Sequence, residues 1–208
     1  MWHSPTSSGR CWALAGAELK KLSRAGDTVQ RVCALPAVGF LGGAWNAEGT
    51  IIFASGGTSA SLFSVPAAGG EAKPLTTHDA SREETGHFWP WFLPDGRRFL
   101  FDVTSSREES AGLHVASLNA PEQRTRLLPA NARVLYASGH LLFVRDGILL
   151  AQPFDARSLT VSGEHSRGRE RGSLHEARLG VVLDLARSGS CLPRRGRSQP
   201  NPVGVARP

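Results

Sequence analysis

A short hairpin pattern recurs along this chain and constrains the fold more than any other feature of the sequence. The stretch FLPDGRRFLF, residues 92–101, places a Pro-Asp-Gly turn directly before a dense apolar run. Two further stretches share this layout, AWNAEGTIIF and LYASGHLLF. The three turn glycines are Gly49, Gly96 and Gly139, separated by 47 and 43 residues. Repeats of about 40 to 45 residues with four strands each are typical of β-propeller blades.

Each of these hairpins is followed by a second one, which completes a four-stranded unit. The second hairpins are LFSVPAAGGEAKPLT, LHVASLNAPEQRTRLL and ILLAQPFDARSLTVSGE. A fourth copy, LKKLSRAGDTVQRVC, begins at Leu19 and has no recognisable first hairpin before it. We assign structural roles to the turn residues, because glycine supplies the positive φ of a tight turn and Asp95 can cap its own backbone.

The repeat predicts an all-β fold, a partial β-propeller of about three to four blades, each a four-stranded antiparallel sheet. We place a degraded N-terminus and the outer strands of a partial blade in residues 1–40. Three further blades are predicted at 41–80, 81–130 and 131–164. Residues 165–208 form an irregular, Arg-rich tail in this scheme.

The composition fits a β-rich domain. With 208 residues and 40% hydrophobic side chains, the chain can build a sizeable core, and its 23 Gly and 13 Pro favour many turns. Three cysteines, Cys11, Cys33 and Cys191, lack metal-ligand spacing, so we predict free thiols and neither a metal nor a cofactor. No apolar run reaches the roughly 18 residues of a membrane-spanning helix.

The basic character of the chain belongs to the tail. From His165 onward there are nine Arg, no Lys and three acidic residues, which accounts for the whole net charge of +6. The abrupt change in composition favours a frameshifted or truncated reading frame near residue 164. The alternative is a basic, disordered tail that binds nucleic acid, a partner that we do not expect.

The catalytic motifs of several enzyme classes are missing from the sequence. It has no phosphate-binding loop, none of the kinase signature motifs and no G-x-S-x-G, since Ser59 lies in GGTSAS without the final glycine. We therefore predict that this chain is not itself an enzyme.

The segment THDASREETGHFWPWF carries the densest set of polar candidates. His78, Asp79 and His87 lie there, with Glu83 and Glu84 between them, in a loop that leads into a predicted innermost strand. Such loops line the mouth of a propeller channel, so we name these residues as a candidate site for a small ligand or ion. The competing interpretation is a solvated polar loop.

Two tryptophans of the same segment are further candidates. Trp89 and Trp91 could offer a stacking surface to a ligand. Their alignment with Trp45, just before the first turn, favours packing between blades instead. Because the residues of the cluster FWPWF lie on alternating sides of the strand, they cannot all be buried in the same sheet face, and we expect one of the two tryptophans to line the channel.

These repeats resemble the TolB-like or WD40-like (PD40) β-propeller repeat, whose signature is an aromatic strand, Pro-Asp-Gly and an apolar strand. FLPDGRRFLF matches closely, AWNAEGTIIF has Glu48 in place of Asp, and LYASGHLLF has Ser138 there. Over about residues 15–164 the chain is similar to the C-terminal propeller region of bacterial transmembrane serine/threonine protein kinases.

The resemblance implies a sensor or interaction module that binds a protein or small molecule at the propeller face. It also implies a location on the periplasmic or extracellular side of a membrane, or the cytoplasm if the chain is expressed alone. Open blade edges would favour oligomerisation. The alternative is the propeller remnant of a prolyl-oligopeptidase-like hydrolase.

Overall fold

The computed structural model describes residues 11–22, 28–129 and 133–167, which form four antiparallel sheets. The first sheet contains β1 (Cys11–Ala15), β2 (Glu18–Leu22) and β3 (Val29–Ala34). The second contains β4 (Phe40–Trp45), β5 (Thr50–Ser55), β6 (Ser61–Pro66) and β7 (Lys73–Pro74). The third contains β8 (Glu84–Phe92), β9 (Arg98–Ser105), β10 (Gly112–Ser117) and β11 (Ala120–Leu128).

The fourth sheet contains β12 (Leu135–Ala137), β13 (His140–Arg145), β14 (Ile148–Asp155), β15 (Thr160–Val161) and β16 (Ser166–Arg167). β16 pairs with β14, so this sheet continues to Arg167. The rest of the predicted tail, 168–208, lies outside the described residues. Two short 3₁₀ helices, Gly57–Ser59 and Ala80–Arg82, complete the regular structure. In the described part of the chain, no helix is both long and apolar enough to cross a membrane.

Apart from β16, the strands of each sheet form a meander, in which strands adjacent in sequence are also adjacent in space. The chain runs from the first strand of a sheet to its outermost strand and then begins the next sheet. The first strands β4 and β8 contact each other, as the innermost strands of neighbouring propeller blades do. Proline is tolerated in β7 because this outermost strand has no further neighbour to which a backbone N–H would donate. The predicted fold class, an all-β partial propeller of antiparallel sheets, is confirmed.

The sheets are held together by three apolar cores, one between each successive pair. Leu19 and Cys33 of the first sheet pack with Phe53 and its neighbours in the second. Ile52 and Phe101 belong to the core between the second and third sheets. The core between the third and fourth sheets contains mainly aliphatic side chains, among them Leu100, Val115 and Leu141. Burying one such large side chain contributes about 1.5–3 kcal/mol, so these cores supply the main force that stacks the sheets.

The central strands β5 and β9 are buried on both faces over most of their length, and β13 is buried on both faces from Leu141 to Phe143. Val144 is an exception, because 49% of it is exposed. It ends the apolar run that begins at Leu141. It lies next to the β13–β14 turn and, by strand alternation, on the opposite face from Leu141 and Phe143, which pack against the third sheet.

The turns before these central strands use glycine in the left-handed region. The φ angles of Gly49, Gly96 and Gly139 are +90°, +67° and +80°. Asp95 accepts backbone hydrogen bonds from Arg97 N at 3.0 Å and Arg98 N at 2.9 Å, which closes the Pro-Asp-Gly turn.

Asn46 connects the turns of two neighbouring sheets. Its side-chain oxygen accepts from Thr50 N at 2.7 Å within the second sheet. Its Nδ2 donates to Gly96 O of the third sheet, also at 2.7 Å. Because Asn46 is only 4% exposed, this bridge satisfies polar groups that would otherwise be buried without partners.

Candidate functional site

The connection from β7 to β8 is built around Asp79, which caps the 3₁₀ helix Ala80–Arg82. The Asp79 carboxylate accepts from Ser81 N at 2.9 Å and from Ser81 Oγ at 2.6 Å. Glu83 ends the helix in the left-handed conformation, with φ 52°. Arg82 forms an ion pair with Asp79 at 3.3 Å, so this short loop is fixed by its own side chains.

A buried ion pair lies directly beneath this loop. Glu84, at the start of β8, has a fully buried side chain, and the side chain of Arg124, on the outermost strand β11, is 4% exposed. Arg124 Nη2 donates to Glu84 Oε2 at 2.6 Å, and Asp79 N donates to the same oxygen at 2.8 Å. Burial raises the pKa of Glu84, but these hydrogen bonds outweigh burial and hold its pKa below the usual value.

His87 extends this buried network towards the second sheet. Its ring is fully buried, and Nε2 lies 3.1 Å from Glu84 Oε2, while Nδ1 lies 2.8 Å from Thr76 Oγ1. Because the Glu84 carboxylate can only accept, the neutral imidazole carries its proton on Nε2, and the Thr76 hydroxyl, which accepts from Leu62 N at 3.2 Å, donates to Nδ1. Burial lowers the pKa of His87 to about 4, so the ring is neutral at pH 7.

The residues Thr76, His87 and Glu84 are the types found in a hydrolytic triad, but their arrangement cannot serve as one. In such a triad the hydroxyl faces Nε2 and the carboxylate faces Nδ1, the reverse of what is seen here. Thr76 is only 2% exposed. These three residues therefore connect the second and third sheets and do not present a nucleophile to substrate.

An open cleft of about 450 Å³ lies above the buried ion pair. Its polar lining consists of Thr77, His78, Asp79, Ser81, Arg82, Glu122 and Arg124. The His78 ring packs edge-on against His87, with ring centroids 4.8 Å apart. The volume falls in the range of roughly 300–1,000 Å³ that is usual for small-molecule sites.

Only two of the five candidate ligand residues line the cleft. His78 and Asp79 line the cleft, and His87 lies beneath it, too buried to touch a ligand there. Trp89 packs against the core between the second and third sheets. Trp91 packs against the core between the third and fourth sheets, so neither tryptophan belongs to the cleft.

Trp89 occupies an irregular point in β8. The register between β8 and β9 shifts between Phe88 and Trp91, and Trp89 has a positive φ of 52°. Its ring lies against Gly42 of β4, where a Cβ atom would be 2.8 Å from Trp89 Cε3. The Arg133 guanidinium lies 5.3 Å from the centroid of the same ring. The contact with Gly42 connects the innermost strands β4 and β8.

Sequence reasoning missed Glu122 and Arg124, which form the wall of the cleft on β11. They lie some 40 residues after Glu84 and become neighbours only when β11 pairs with β10. The alternation of Arg124 and Arg126 with Thr125 indicates a strand with one charged face, but it does not indicate which residues that face meets. Within the described residues, no group of three or more His, Cys, Asp or Glu side chains could hold a metal ion.

Comparison with known proteins supports the fold. Neither the models of protein families nor the curated protein sequences contain a match to this chain. A structure of the nidogen/laminin complex matches with TM-score 0.59 and 8% identity, over 77% of this chain and 60% of that one. A putative TolB from Agrobacterium tumefaciens matches with TM-score 0.56 and 15% identity, over 82% and 62%.

A puromycin-hydrolyzing peptidase of Mycobacterium tuberculosis matches with TM-score 0.52 and 13% identity, over 82% of this chain and 29% of that one. The chain thus spans less than two thirds of each of these structures. At such low identity these matches establish the fold alone. The chain is a module with the β-propeller fold, and TolB is among the proteins with similar structures.

Proposed function

We propose that this chain is a non-catalytic interaction module that binds a protein or small-molecule ligand at the cleft above the Glu84–Arg124 pair. The observation that carries this proposal is the support beneath the cleft. Asp79, Glu84 and Arg124 are fixed by hydrogen bonds of 2.6–2.8 Å, so the wall and floor are organised before any ligand arrives. Pre-organised polar groups on a rigid scaffold lower the entropic cost of binding.

The buried chemistry supports binding over catalysis. The imidazole of His87 and the hydroxyl of Thr76 are occupied by each other and by protein partners. A general base must reach the proton that it removes, and His87 is fully buried. The groups that do face the cleft, such as Asp79 and Arg82, are already paired at the surface.

The binding proposal is tested by screening a fragment library of acids, amines, amides and alcohols against the full chain by ligand-observed NMR. Two matched variants assign each hit to the cleft. Arg82→Ala removes a cleft donor, and Arg107→Ala removes an arginine of similar exposure that pairs with Glu83 outside the cleft. We expect hits that Arg82→Ala weakens and Arg107→Ala leaves unchanged. Hits that respond equally to both variants, or no hits, contradict the binding of a small molecule at the cleft.

We also propose that the module is the sensor part of a serine/threonine protein kinase, as the resemblance of residues 15–164 implies. The propeller fold and the missing kinase motifs in this chain are compatible with that role. The test is the nucleotide sequence on both sides of the coding region. A kinase domain and a membrane-spanning segment upstream would support the proposal, and an unrelated intact gene would contradict it.

A hydrolase module is the second candidate, because one structurally similar protein is described as a puromycin-hydrolyzing peptidase. If the chain acted as part of such an enzyme, a G-x-S-x-G domain would be encoded beside it. We expect the purified chain alone to leave puromycin intact, as followed by chromatography. Release of the amino acid by the chain would overturn the non-catalytic proposal.

A further inference from the structure

The third and fourth sheets contact each other less closely than the second and third do. At the boundary between the second and third sheets, the backbones of β4 and β8 lie close together, and His87 N donates to Ala60 O at 2.7 Å. Among the described residues, no strand of the third sheet comes as close to a strand of the fourth. The hydrogen bond found there, from Arg98 Nη1 to Arg157 O at 3.0 Å, lies at the surface. The third and fourth sheets are therefore held together mainly by apolar side chains.

Asp102 lies within this apolar contact. Strand alternation places it on the face of β9 that carries Leu100, and Leu113 is opposite it on β10; both leucines pack against the fourth sheet. Asp102 is 6% exposed, and its Oδ1 has no hydrogen-bond partner among the described residues. The titratable side chains of the flanking strands β8 and β10 lie on the side of the second sheet: Glu84, His87 and His114. An ionised carboxylate at this position is disfavoured, because it has left water without gaining a cation.

The titratable groups on the other side of the contact do not compensate a charge on Asp102. Arg145 and Tyr136 lie on the face of the fourth sheet that is turned toward the third, and Arg133 precedes β12. The guanidinium groups of both arginines lie against aromatic rings, 5.6 Å and 5.3 Å from the ring centroids. Burial raises the pKa of Asp102 to about 7, with no contribution from a cation among the described residues. The contact between the two sheets therefore changes its charge near neutral pH.

We propose that the contact between the third and fourth sheets is pH-sensitive: when Asp102 loses its proton, the fourth sheet separates and unfolds locally, while the second and third sheets stay joined. A single propeller sheet cannot bury its apolar face alone, so the fourth sheet needs this contact to keep its structure. In the open form Asp102 reaches water and titrates near the ordinary aspartate value of about 4. Closed Asp102 keeps its proton up to about pH 7, so the ratio of open to closed molecules rises about tenfold per pH unit between these values and then levels off.

The test is backbone hydrogen exchange of the full chain, followed by NMR at pH 5 and pH 8 and expressed as protection factors, which remove the intrinsic pH dependence of exchange. From pH 5 to pH 8 the protection of amides in β13 and β14 should fall about 80-fold. Amides in β5 and β6 of the second sheet should stay more protected than these at both pH values. Asp102→Asn should abolish the fall, because asparagine does not ionise. Asp146→Asn, which removes an exposed carboxylate from the β13–β14 turn, should retain it.

Each other result overturns the proposal. If the protection of β13 and β14 is the same at both pH values, ionisation of Asp102 does not open the contact. If the fall persists in Asp102→Asn, another group causes it. If amides in β5 and β6 are no better protected than those in β13 and β14 at pH 8, the chain opens as a whole and the fourth sheet does not separate by itself. Circular dichroism checks that each variant is folded, and Asp102→Leu, which also cannot ionise, provides a second variant for the same comparison.

Discussion

At the scale of single residues, this molecule uses its buried polar groups to join neighbouring sheets. Arg124 reaches from an outermost strand to Glu84 on an innermost strand, and His87 connects Glu84 to Thr76. Each of these side chains is buried, so each depends on its partner to offset the cost of leaving water. The network is consequently more sensitive to the loss of one member than surface pairs are.

Arg124→Ala should therefore destabilise the fold strongly. It leaves the carboxylate of Glu84 buried without its cation, and breaking a buried pair in this way costs about 3–5 kcal/mol. Arg107→Ala breaks an exposed pair with Glu83 and should cost less than about 1 kcal/mol. Urea unfolding followed by fluorescence measures both values. Similar small losses for the two variants would mean that Glu84 is not buried against Arg124.

Asp102, unlike the paired Glu84 and Arg124, lowers the stability of the fold at neutral pH. It is 6% exposed, and burial raises its pKa to about 7. An unfolded aspartate loses its proton near pH 4, whereas folded Asp102 keeps it until about pH 7, so this residue lowers stability as the pH rises between those values.

We expect Asp102→Asn to have nearly the stability of the original chain at pH 4.5 and to be more stable by about 2–4 kcal/mol at pH 8. The measurement is the free energy of unfolding of both proteins at the two pH values. A difference that does not change with pH would show that Asp102 is ionised in the folded chain at both.

At the scale of elements, close contact between the innermost strands β4 and β8 determines how the second and third sheets meet. Gly42 has φ +92°, and the ring of Trp89 occupies the space where a side chain would project. Gly49 has nearly the same φ, +90°, with nothing within 4 Å of the corresponding position. The two glycines thus share a backbone requirement and differ in the room around them.

Gly42→Ala should accordingly cost more than Gly49→Ala. Both substitutions place a side chain in the left-handed region, but only the first pushes a methyl group to 2.8 Å from Trp89 Cε3. Overpacking of this kind costs about 1–3 kcal/mol, which we expect as the difference between the two variants. Thermal unfolding of both provides the comparison. Equal losses would show that β4 and β8 are not packed as described.

The sequence allowed prediction of those elements whose cause is local. The hairpin FLPDGRRFLF was predictable because Asp95 caps the turn and Gly96 takes a positive φ, both of which depend on adjacent residues. The wall of the cleft was not predictable, because Arg124 meets Glu84 only through the pairing of β11 across a sheet with shifted registers. The positive φ of Trp89 likewise interrupts the strand alternation, from which we had predicted the sides that the tryptophan side chains face.

At the scale of the whole molecule, the sheets stack face to face through three apolar cores. Because the second and third sheets stack, the β7–β8 connection lies over β11, the outermost strand of the third sheet. The cleft lies between this connection and β11. The cleft, the buried network and the core between the second and third sheets therefore form together. A measurement on one buried group at that boundary tests all three.

The most direct measurement is the titration of His87 by nitrogen-15 NMR of the full chain, with His87→Gln to assign its signals. Stacked sheets predict a neutral imidazole with its proton fixed on Nε2 at pH 7 and a pKa near 4. A ring that exchanges between tautomers and titrates near its ordinary value of about 6.5 would contradict the account. In that case His87 would be in water, and neither the stacked sheets nor the cleft above them would exist as described.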